Sequence, residues 1–102
     1  DWFDISIKVE KSSGALLRDV LYDLNTTTTD NKDEALAINK AMDELRSVKE
    51  SAGDRKTAEQ NIIAVLNAVD EVKKLPSAEW QVRQQLDDLL KIWERKWYEL
   101  GE

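Results

Sequence analysis

Three successive stretches of about twenty residues each carry apolar side chains at spacings of three and four, the period of a helix with one buried face. The first covers residues 31–52, with the stripe Ala35, Ile38, Ala41, Met42, Leu45 and Val48. The second covers 55–75, with Ala58, Ile62, Val65, Leu66, Val69 and Val72. The third covers 78–100, with Val82, Leu86, Leu89, Leu90, Trp93, Trp97 and Leu100. The breaks between them are only Gly53-Asp54 and Pro76-Ser77. Long helices joined that tightly can bury their stripes only by packing antiparallel.

A shorter helical pattern precedes them over 13–25, where Leu17, Val20, Leu21 and Leu24 share a face. The residues at the breaks support these limits. Ser12 and Ser13 can accept hydrogen bonds from the first amides of that helix, and the run Thr26 to Thr29 disfavours its continuation. Asp30 is expected to cap the second helix, with Asp33 and Glu34 in its first turn where the helix dipole favours negative charge. Gly53 is the expected stop of the second helix and Asp54 the expected cap of the third. Proline lacks the amide a helix needs, so Pro76 ends the third helix and Ser77 caps the fourth. Acid-then-base pairs four residues apart (Asp70 with Lys74, Glu79 with Arg83, Asp87 with Lys91) can each add about 0.3 kcal/mol on an exposed helix face.

Residues 2–10 follow a different rule. Phe3, Ile5, Ile7 and Val9 alternate with Asp4, Ser6, Lys8 and Glu10, a period of two with β-branched side chains. On a helix the same residues would scatter over more than half the circumference. The expected fold is therefore all-α: an antiparallel three- or four-helix bundle (13–25, 31–52, 55–75, 78–100) preceded by one extended strand over 2–10. One domain spans 1–102, with 1–11 as an N-terminal arm. A chain of 102 residues that opens on Asp1 is also expected to be a processed product or a piece of a longer protein.

Composition narrows the chemistry. The chain has no His and no Cys, so the common zinc sites, His-based triads and disulfides cannot be built. The acids at 30–34 lack the central glycine and closing glutamate of a calcium loop. Gly14, Gly53 and Gly101 are isolated, so no phosphate-binding loop exists. Neighbouring carboxylates such as Asp43-Glu44 and Asp87-Asp88 point about 100° apart on a helix and do not converge as catalytic dyads. The formal charge of −6 opposes a nucleic-acid partner. Apolar runs are too short to span a bilayer. No enzyme activity, cofactor or metal is expected. The compartment is open, with the cytoplasm slightly favoured.

What remains is a set of apolar residues off the stripes. Trp80 and Tyr98 share one azimuth on the fourth helix, since eighteen residues make five full turns. Tyr22, Leu36 and Ile63 lie off the stripes of the other three helices. Covering other helices is one use for them, and an exposed partner-binding patch is the other. The strand residues Phe3, Ile5, Ile7 and Val9 add a second candidate surface, because a strand without a neighbour in its own chain can pair with another copy, add to a partner's sheet, or lie extended against the helices. These nine residues are the candidate partner-binding set. The expected function is a non-catalytic protein–protein interaction or structural-assembly module, with a protein partner or self-association. The alternatives are an acidic inhibitor that occupies a basic site on a nucleic-acid-binding enzyme, and a binder of a small apolar ligand in the bundle core.

Overall fold

The computed structural model describes residues 12–49, 51–75 and 80–101, and all regular structure among them is helical. Helices α1 (Ser13–Thr26), α2 (Lys32–Arg46), α3 (Arg55–Val72) and α4 (Trp80–Glu99) follow in order. The strand expected over 2–10, with Phe3, Ile5, Ile7 and Val9, lies outside the described residues. Helix α1 packs on α2 and α4, and α3 packs on α2 and α4, with no such approach across either diagonal. The four helices thus close into a ring around one core, with α1 as its fourth member. Arg55 at the start of α3 meets Trp97 near the end of α4, so these two helices run antiparallel.

The start of α1 follows the expectation: the Ser12 hydroxyl accepts from the Ala15 amide at 3.2 Å. At its other end the threonines close the helix actively. Thr27 Oγ1 donates to the Asp23 carbonyl at 2.8 Å, and Thr26 Oγ1 to the Tyr22 carbonyl at 3.0 Å. The cap of α2 is Asn31 rather than Asp30. Its Oδ1 accepts from the amides of Asp33 (2.8 Å) and Glu34 (3.1 Å), satisfying two donors that the helix leaves open. Asp54 stands at the cap position of α3, but its carboxylate takes the Thr57 hydroxyl and makes no bond to the helix amides.

The largest departure is the end of α2. The stripe predicts a helix to residue 52, yet α2 stops at Arg46. Ser47 Oγ donates to the Glu44 carbonyl at 2.6 Å. The amides of Ser47 and Val48 reach back three residues, to Glu44 and Leu45. Those tight bonds end the α-helical ladder. Val48 and Ala52 are buried all the same, now from an irregular connection. Gly53 has no positive φ and so does not act as a left-handed helix stop. Helix α3 likewise ends at Val72 rather than 75, and Leu75 enters the core from the turn that follows.

The core gathers Leu16, Leu17, Val20 and Leu24 from α1, and Ala37, Ile38, Ala41, Met42 and Leu45 from α2. Helix α4 contributes Val82, Leu86, Leu89 and Trp93. The buried face of α3 is turned relative to its predicted stripe. Its centre is Ala58, Asn61, Ala64, Val65, Ala68 and Val72, while Ile62 and Val69 are half-buried and Leu66 is 44% exposed. The three alanines at this centre (Ala58, Ala64 and Ala68) are buried beside Val65 and Val72, and Ile62, Leu66 and Val69 sit at the rim.

Candidate functional site

The off-stripe residues are where helical geometry leaves them. Tyr22 is 68% exposed, Leu36 54%, Ile63 51% and Tyr98 73%. Each is turned about 150–175° from the buried residues of its own helix, at 100° per residue. Because the four helices occupy four corners of a ring, these four side chains face outward in four directions. The structure does not bring them together. Ile63 has an exposed apolar neighbour in Leu66, three residues on along α3, which the stripe places in the core. Trp80 opens α4, and the four strand residues lie outside the described residues.

A different cluster forms where α3 begins and α4 ends. The Arg55 guanidinium carbon sits 3.5 Å from the centroid of the Trp97 ring. Tyr98 meets Trp97 edge to face, with centroids 5.2 Å apart and ring planes at 80°. Gly101 completes the arrangement: a Cβ there would stand 3.1 Å from the Arg55 guanidinium and 3.1 Å from the Tyr98 carbonyl oxygen. Glycine at this position lets the last turn of α4 close beside the arginine. Trp97 is half-buried against the core, whereas Arg55 and Tyr98 are exposed. The result is an aromatic pair with a cation over the indole ring.

The indole nitrogens of Trp93 and Trp97 are both buried and meet no hydrogen-bond acceptor among the described residues. A buried donor or acceptor without a partner costs about 1–3 kcal/mol, and α4 carries this cost at both indoles as well as at the buried Gln85 Oε1. Asn61 shows the contrast: it is 1% exposed, and both its amide oxygen and its amide nitrogen are bonded to the backbone of Lys49.

The pairing of α2 with α3 also gathers charge that is dispersed along the sequence. Lys40, Asp43 and Glu44 from α2 and Asn67, Asp70 and Glu71 from α3 line a surface depression of about 390 Å³. Each of its four carboxylates has a nearby partner. Asp43 pairs with Arg46 at 3.3 Å, Asp70 with Lys73 at 3.9 Å and Glu71 with Lys74 at 3.2 Å. Glu44 accepts from Asn67 at 3.3 Å. The ion pairs use the three-residue spacing, so Lys74 serves Glu71 and not Asp70 as the four-residue rule predicts. Asp43, Asp70 and Glu71 turn to bases on or next to their own helices while Glu44 reaches across to α3, and no group of three or more ligands among the described residues could hold a metal ion. No helix is long and apolar enough to cross a membrane among the described residues.

No family model, no curated protein and no solved structure matches this chain. The reading of its surface rests on geometry alone. Of the α3–α4 cluster only Tyr98 is in the sequence-derived set; Gly101 is absent from it, as are Arg55, which carries no apolar signal, and Trp97, which the stripe assigns to the core. A signal for the pair does exist in the sequence. Two antiparallel helices of 18 and 20 residues put the first residue of one beside the last turn of the other.

Proposed function

We propose that this chain is a non-catalytic protein–protein interaction module, and that a protein partner contacts it at the junction of α3 and α4. The arrangement of Arg55, Trp97 and Tyr98 carries this reading. Arg, Trp and Tyr are the residue types that most often dominate binding energy in protein interfaces, because each combines a large contact area with a polar tip. Trp97 holds Arg55 and Tyr98 in place, which lowers the entropy lost when a partner orders them. Ile63 and Leu66 extend apolar exposure along α3.

The two exposed tyrosines provide a matched test. Tyr22 and Tyr98 are similarly exposed, and Tyr98 meets the Trp97 ring that Arg55 stacks on. A photoreactive phenylalanine analogue is placed at position 22 or 98 and irradiated in cells. The expected outcome is a discrete adduct from position 98 and none from position 22. Equal labelling from both, or none from either, would overturn the assignment.

A second reading has one observation behind it: the carboxylates of Asp43, Glu44, Asp70 and Glu71 along one depression, as an inhibitor of a basic site would require. The bases Arg46, Lys73 and Lys74 beside three of them weaken the field such a partner would feel. This reading therefore stands behind the first. Its mark would be binding to a basic protein that weakens steeply with added salt.

A further inference from the structure

We draw no further inference here: the strongest candidate, the pair of buried indole N–H groups of Trp93 and Trp97 on the C-terminal half of α4, finds no acceptor among the described residues, and both are enclosed by the core with nothing in the structure that points to a ligand for them.

Discussion

Asn61 clamps the backbone of Lys49. Its Oδ1 accepts from the Lys49 amide and its Nδ2 donates to the Lys49 carbonyl, both at 2.9 Å. The side chain of one helix thus replaces the helical partners that the chain loses when α2 ends, and it fixes the path of the connection to α3. Because Asn61 sits in the core, its removal leaves two backbone groups unsatisfied and a small void. Asn61→Ala is expected to lower stability by about 2–4 kcal/mol. Urea unfolding should show a lower midpoint at unchanged slope. Asn67→Ala, on the exposed face of the same helix, is the control. A loss at Asn61 no greater than at Asn67 would show that the clamp does not hold in solution.

The turned face of α3 makes a comparison between two substitutions decisive. If the periodic stripe of the sequence described the core, Leu66→Ala would cost about 2–5 kcal/mol, the ordinary loss for a buried leucine. With Leu66 at the rim, the expected loss is under about 1 kcal/mol. Ala68 is fully buried, and Ala68→Leu is expected to cost about 1–3 kcal/mol by overpacking. Thermal melts of the two variants side by side check the order.

Capping separates two adjacent residues. Asn31 holds the amides of Asp33 and Glu34, so Asn31→Ala is expected to cost about 1 kcal/mol. Asp30→Ala is expected to change stability by less than about 0.5 kcal/mol, as most surface substitutions do. The reverse ranking in chemical denaturation would move the start of α2 back to the aspartate.

The stacking of Arg55 on Trp97 is open to a double-mutant cycle. An exposed cation over an indole face is worth about 0.5–1 kcal/mol. Arg55→Ala and Trp97→Leu should therefore be non-additive by about that amount in unfolding experiments. Trp97→Leu alone also removes a half-buried ring and an unsatisfied N–H, two effects of opposite sign. Only the coupling term reports on the contact, and a coupling indistinguishable from zero would remove the preorganisation argument from the proposed interface.

The four helices among the described residues, and their approximate positions, follow from the sequence alone. Periodicity and capping depend on residues within about four positions of one another, and such local relations place α1, the start of α2 and the body of α4 to within a few residues. Ser12, the threonines after Tyr22 and the stripe from Val82 to Trp93 act where the pattern puts them. Tertiary structure decided the rest. Helix α2 stops at Arg46 even though the stripe continues to Val48, and a buried amide twelve residues beyond Lys49 holds the chain that follows. Leu66 is exposed and Ala68 is central because α3 must fit between α2 and α4. The joining of Arg55 to Trp97, and the gathering of Asp43 and Glu44 with Asp70 and Glu71, likewise arise only when helices distant in sequence are set side by side. A single amphipathic helix shows which of its faces is apolar, but its rotation about its own axis is set by the side chains of its neighbours.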